Sequence, residues 1–475
     1  MVMKKLKKLI DRIINQLNIN LRRLNFNAEP YLKQSLALTQ LLKFYGFYGI
    51  TSQHPILFHF SNSNVAGSYF LGKCKVDNSI LYKSDIRGDE LKAKGTTFHF
   101  QGKDLPIEED EVIWIKGSFL IKTLVHSYSH DPEKLELFLI KHTGASSYCN
   151  IHGSPLEGCF LKPFATVDLT SLYNCIVGRF AYVQTGYMAN EGIADGQIWI
   201  RKPDAFEFKY RHSEAVLDRY ISFVPGHAAN GVFTDFVEDR EDEFQRLFDV
   251  VHRSVPIQVP AGATLNRYAV IRGDTTISEN VLVAQRAYLD NSWLGKGANA
   301  QEHCYIIHSF LKGYDVMAHG AKIIYTLLDN KVFVGFNSFL RGNLGCPLTV
   351  GYSSIVLPHT IIDLEEPLTI PANQLVWGYI RNQEDLNNNS IPLEKLAETN
   401  GELQVGEMTF KGNGALFVEA FKSRIEHILT DNGAYFDGRK NRGHAQKGQN
   451  IAFNIIQPYS VGPSKGLYPT IDIHP

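Results

Sequence analysis

Six aliphatic residues, Val259, Leu265, Ile271, Ile277, Val283 and Leu289, follow one another at intervals of six. Four residues after each of the first five stands a small or β-branched side chain: Ala263, Ala269, Thr275, Val281 and Ala287. A period of six matches neither the 3.6 of a helix nor the 2 of a half-buried strand. A short fixed period marks stacked identical units, none of which can bury its apolar face alone. One aliphatic and one small residue per six suit a rung whose corners turn both side chains into a narrow interior. After one step of five the rhythm resumes through Leu294, Ala300 and Ile306, then Val334 and Leu340. It closes with Val350, Val356, Ile362 and Leu368, near Trp377.

Looser repeats begin upstream, at Val65 and Leu71, at Ile80 and Ile86, then at Leu161, Val167 and Tyr173, with Ile176 and Tyr182. Between Ile113 and Ile140 the rhythm dissolves into apolar runs and a charged stretch, Asp131 to Glu136, which reads as an inserted loop or short helix. Residues 193–250 break it for longest. There Ile198-Trp-Ile and Phe206-Glu-Phe-Lys-Tyr alternate like strands, and Glu238–Val251 reads as a charged helix. Near the N-terminus, Leu6, Leu9, Ile10, Ile13, Ile14 and Leu17 lie opposite Lys4, Lys5, Lys7, Lys8 and Arg12, an amphipathic basic helix over residues 3–24. It is expected to pack on the repeats or on a neighbouring subunit. Membrane-surface contact is the lesser alternative, since the apolar face carries no tryptophan. Further helices are expected from about Pro30 to Tyr45 and over Gly414–Asn432, the latter with Leu416, Phe417, Phe421, Ile425, Ile428 and Leu429 on one face. A polar stretch from Arg381 to Ser390 leaves the repeats, and the tail shows no period.

The 475 residues can bury a large core, and a formal net charge of −1 gives no bulk attraction to nucleic acid or to anionic membrane. Six scattered cysteines without a C-x-x-C pair read as reduced core thiols. No apolar run reaches the length of a membrane span, and no signal-peptide h-region is present, so a soluble cytoplasmic protein is expected.

The six-residue rhythm resembles the hexapeptide-repeat family. That resemblance implies a mostly β fold, a left-handed parallel β-helix with flanking α-helices and an inserted α+β segment. The expected organisation is an N-terminal helical segment (1–60), an irregular first β-helical stretch (61–192), an insertion (193–255), a regular β-helix (256–380) and a C-terminal loop, helix and tail (381–475).

Two segments echo each other, Asp85-Ile-Arg-Gly-Asp-Glu90 and Val270-Ile-Arg-Gly-Asp-Thr275. The plain reading is an ion pair between coils or subunits. The echo is similar to the γ-class carbonic anhydrases, a branch of the family, where such a segment pairs Arg and Asp across a trimer interface. Asn299-Ala-Gln-Glu302 followed by His308 resembles that branch's Asn-x-Gln-Asp segment with its downstream zinc ligand, here one residue late. His319-Gly-Ala resembles the second ligand segment, but Ile324 stands where another histidine is expected. With His303 as substitute, His303, His308 and His319 make up the three protein ligands a catalytic zinc needs. Hexapeptide acyltransferases need only one histidine, a general base for the acceptor's hydroxyl or amine.

The resemblance therefore implies first an acyltransferase using an acyl-CoA-type donor and a small-molecule acceptor. Its site would hold His319 as base together with Arg272, Asp274, Gln301 and Glu302, in a homotrimer. A γ-carbonic-anhydrase-like zinc protein comes second and a non-catalytic assembly protein third. Upstream, His126, His130, His142 and His152 follow no metal-ligand spacing. Walker and Gly-x-Ser-x-Gly motifs are absent, which argues against a fused nucleotidyltransferase or a serine hydrolase.

Overall fold

A computed structural model of the chain describes residues 3–51, 57–100, 103–129, 136–248, 257–448 and 451–473. The chain divides into two compact units, one of Met1–Asp195, Asp218–Gly231 and Asn450–Pro475, the other of Gly196–Leu217 and Val232–Gln449. Each is built mainly from short parallel strands; in the second unit, and over the later strands of the first, a strand pairs with the third strand along the chain.

In the second unit the hexad residues become three in-register columns. Leu265, Val283, Ala300, Met317, Val334, Val356 and Val376 align in one sheet. Ile271, Leu289, Ile306, Ile323, Leu340, Ile362 and Ile380 align in a second. Ile277, Leu294, Leu311, Leu328, Val350 and Ile370 form the third, and Leu368, two positions before its last member, is buried in the same core. These columns, with the small residues Ala263, Ala269, Val281 and Ala287, make one continuous core. Buried corners leave backbone N–H groups that need acceptors. A hydroxyl ladder supplies them: Thr275 Oγ1 accepts from the Ser292 amide, Ser292 Oγ from Ser309, and Ser309 Oγ from Thr326 at 3.1 Å.

The insertion and the C-terminal region meet in an antiparallel sheet, ordered Asn400–Val405, Met408–Asn413, Phe206–Arg211 and Gln197–Lys202. The helix Gly414–Asp431 starts where the Asn413 side chain accepts the Leu416 amide, and it lays Phe417 on Phe206, Phe208 and Phe410. Leu416, assigned to the apolar face, is 42% exposed. In place of one charged helix over Glu238–Val251 there are two, Val232–Glu238 and Glu241–Phe248; residues 249–256 lie outside the described residues.

The first unit corrects the sequence reading in register. Its inward columns run Phe70, Ile86, Val125, Ile151, Val167, Val183; then Val76, Ile115, Ile140, Leu156, Leu172, Met188; then Leu81, Leu120, Ala145, Leu161, Val177, Ile193. Leu71, Ile80, Tyr173, Ile176 and Tyr182 each sit one residue from an inward position. Regular rungs here advance by 16 residues, against 17 or 18 in the second unit, so the strict step of six slips. The stretch Ile113–Ile140 keeps the stacking, through strands Ile113–Lys116, Phe119–Ile121, Leu124–His126 and Phe138–Lys141. His130 and residues 131–135 of the charged stretch lie outside the described residues.

Helix α1 (Lys4–Leu21) explains why outward positions are apolar here. Its buried face, including Leu9, Ile13 and Leu17, packs on Ile80, Tyr82, Phe119, Ile121 and Phe160. At Gly144 the approach is so close that a Cβ would meet Leu17 Cδ2 at 2.8 Å. The apolar face is therefore used within the unit, not left for a membrane surface. The expected helix from Pro30 to Tyr45 is instead a single turn, Glu29–Leu32, and a 3₁₀ turn, Gln40–Leu42. Ser35 Oγ donates to the Leu32 carbonyl, a local bond that competes with helix continuation. The tail, which shows no period, adds antiparallel edge strands, Ala452–Ile456 beside Gly46–Ile50 and Ile471–Ile473 beside Phe58–Ser61. All six cysteines are free thiols, and no described helix is long and apolar enough to cross a membrane.

Candidate active site

One corner of the second unit stacks Gln285, Glu302, His319 and Phe336, each a rung of 17 residues beyond the last. The residue after each takes a left-handed conformation: Arg286 at φ 54°, His303 at 60°, Gly320 at 75° and Asn337 at 52°. The turn is pinned by backbone bonds from His303 N to Gln285 O, Gly320 N to Glu302 O and Asn337 N to His319 O. This repeated geometry puts the His319 and Glu302 side chains side by side. Nδ1 of His319 lies 2.9 Å from a Glu302 carboxylate oxygen, and the two side chains are 3% and 5% exposed. The Phe336 ring lies 5.4 Å from the imidazole.

A carboxylate facing Nδ1 favours the tautomer whose Nε2 carries the lone pair. Such a pair can take a proton at Nε2 while Glu302 stabilises the imidazolium that forms. Burial strengthens that charge–charge contact. Nearby in the chain, Lys322 is 2% exposed and its Nζ donates to the Gly320 carbonyl at 2.5 Å. Burial pulls its ammonium down to about 7.

The other residues singled out from sequence make contacts of their own. Gln301 adjoins Glu302 and is buried, its carbonyl accepting the Cys304 amide. Arg272 is exposed and pairs with Glu243 at 2.9 Å and with the Tyr288 hydroxyl at 3.1 Å. Asp274 is exposed, its amide donating to Asn291. The upstream echo differs, since there Arg87 bonds Asp89 of its own Arg-Gly-Asp segment. His303, His308 and His319 do not converge as a metal-ligand group among the described residues. His303 occupies a left-handed corner position, and exposed His308 stacks on Tyr325 at 4.7 Å. Both take left-handed corner conformations that turn the chain, at φ 60° and 46°.

The first unit holds histidines that spacing alone had dismissed. Arg87, His126, His152 and Asp168 align on consecutive rungs. His152 Nδ1 lies 2.8 Å from Asp168, and Asp168, fully buried, also accepts the Tyr182 hydroxyl at 2.5 Å. His126 Nε2 lies 3.3 Å from Glu90. A signal was present in the strand triplets Asp85-Ile-Arg87, Leu124-Val-His126, Asn150-Ile-His152 and Thr166-Val-Asp168, in which a polar residue follows the inward aliphatic one.

Comparison with known proteins adds the following. The family model described as a hexapeptide repeat including loop matches residues 103–225. A solved candidate acetyltransferase from Desulfovibrio desulfuricans G20 is 52% identical, with a TM-score of 0.93, over 100% of this chain and 99% of that one. A candidate acetyltransferase from Bacillus cereus is 10% identical over 43% of this chain and 91% of that one, with a TM-score of 0.17. No curated protein matches significantly.

Proposed function

Because this chain belongs to the hexapeptide-repeat transferase superfamily, we propose that it moves an acyl group from an acyl-CoA donor to a small acceptor. The scaffold in this reading is a left-handed parallel β-helix. The observation that carries the site assignment is the buried His319–Glu302 pair at 2.9 Å. His319 Nε2 takes the proton of the acceptor's hydroxyl or amine as that atom attacks the thioester carbonyl. The new C–O or C–N bond forms, the C–S bond breaks, and the proton passes to the departing thiolate. Glu302 holds the imidazole in the required tautomer throughout.

The test follows release of the free thiol from acetyl-CoA against a panel of small amines and alcohols. His319→Ala should lower turnover on the order of 10²–10⁴-fold with folding retained, the usual cost of a lost proton-transfer group. Glu302→Gln keeps the shape and should also reduce turnover. Wild-type turnover in a folded His319→Ala protein would remove this assignment.

Assembly as a homotrimer is part of the same reading. Its support is an exposed apolar column in the second unit, Trp293, Phe310 and Leu327, in register on successive rungs and 43%, 40% and 37% exposed. The Trp293 and Phe310 rings stack at 5.7 Å.

A further inference from the structure

We infer that the first unit binds a polyphosphorylated organic anion, of nucleoside di- or triphosphate size, in a cleft between the start of α1 and the tail loop 460–465. Lys4, Lys5 and Lys8 line one side, and Val461, Pro463 and Lys465 the other, of a space of about 640 Å³. Both sides belong to the first unit. No carboxylate lines the cleft.

The charge is what needs explaining. Elsewhere in this unit lysines have acidic partners: Lys33 meets Asp11 and Glu29, Lys141 meets Glu157, and Lys162 meets Asp195. Among the described residues the four cleft lysines have none. Lys4 and Lys8 stand four apart on α1, and Lys5 and Lys8 three apart, spacings at which like charges repel. Net charge over the chain is −1, so this positive field is local. A terminal phosphate carries about two negative charges at neutral pH, and a di- or triphosphate roughly three or four. Four ammonium groups, each a compact charge with three donors, match the larger anion.

The loop is held in place against the helix. Tyr459 N donates to the Leu467 carbonyl at 2.8 Å, and Gly466 N to the Tyr459 carbonyl at 3.0 Å, closing the loop at its base. Leu467 and Tyr468 are buried. Gly466, at φ 82°, sits so close to α1 that a Cβ would meet Leu6 Cδ2 at 2.7 Å. That contact keeps Lys465 beside the α1 lysines, so little ordering is left to oppose binding. Val461, 78% exposed, and Pro463 offer an apolar surface to the organic part of the ligand.

Equilibrium dialysis of the full chain against radiolabelled ADP and pyrophosphate, at low salt and without divalent metal, tests this independently of any turnover. Both should be retained, and added salt should weaken both, since it screens exposed charges. Lys5→Gln, Lys8→Gln and Lys465→Gln should each lower affinity for both probes by roughly 10–100-fold, the worth of a hydrogen bond to a charged group. Their melting temperatures should stay at the wild-type value. Val461→Gly should weaken ADP and leave pyrophosphate unchanged. Arg23→Gln alters an exposed cation just past the far end of α1 and should leave both affinities unchanged. A wild-type chain that retains neither probe overturns the proposal. So does an equal loss in Arg23→Gln, which would make the binding a general effect of positive charge. Sedimentation with phosphatidylglycerol vesicles, with neither soluble probe bound, would also overturn it and make the surface a lipid-docking one.

Discussion

Lys322 is the residue whose charge conflicts most with its place. It opens the strand Lys322–Ile324, packed in register between Tyr305 and Phe339, and its Nζ lies 5.9 Å from the Tyr305 ring centroid. Desolvation disfavours the ammonium, and the group falls to about 7, with the Cys304 thiol opposing the fall. In the unfolded chain a lysine titrates near 10.4. Between those values the unfolded state binds more protons, so stability rises with pH across the window from about 7 to 10. The penalty is nearly complete at pH 7, on the order of 4 kcal/mol. Lys322→Met should therefore raise the melting temperature at pH 7, and the gain over wild type should shrink toward pH 10. A gain independent of pH would place its cause in packing instead of charge.

At the scale of the element, the corner ladder is as important as the aliphatic columns. Ser309 Oγ donates to the Ile307 carbonyl at 2.8 Å and accepts the Thr326 amide. Alanine there leaves a buried N–H without its acceptor, which costs about 1–3 kcal/mol. The first unit continues a similar ladder, Ser79, Ser118 and Thr143, into Cys159, whose amide donates to Thr143 Oγ1. A thiol is thus tolerated at such a corner by the chain itself. Urea unfolding should show Ser309→Ala destabilised by that amount and Ser309→Cys by less. Equal losses would mean that the hydroxyl's hydrogen bonds are not what the corner needs.

For the molecule as a whole, the exposed column of Trp293, Phe310 and Leu327 is the feature that monomer packing does not account for. Stacked aromatics in register make a flat apolar strip, and such strips favour association. Two acidic substitutions, Trp293→Glu and Phe310→Glu, change only exposed side chains and should leave the melting temperature of the fold near wild type. In light scattering they should convert a trimer to a monomer at micromolar concentration. A wild-type chain that scatters as a monomer would remove the trimer from the proposed function.

The second unit was legible from its sequence because one aliphatic residue per six, beside small neighbours, leaves a single way to face inward. Val283, Leu289, Leu294, Ala300 and Ile306, all fully buried, stand where the rhythm put them. In the first unit the same reasoning fails at Ile80 and Leu81, or Ile176 and Val177, because two apolar neighbours compete for one inward position. Only the packing of α1 against Ile80 and Phe119 separates them. The His319–Glu302 pair was half legible: both residues were singled out, but not their pairing, which follows from the rung of 17 residues. His126 and His152 were not legible as a pair. Residues 127–151 separate them in the chain, and only hydrogen-bonded register brings their rings together. Sequence periodicity fixes which side chains face the core, through burial alone. Which polar groups meet outside it depends on the length of every intervening loop, and only the folded stack adds those lengths up.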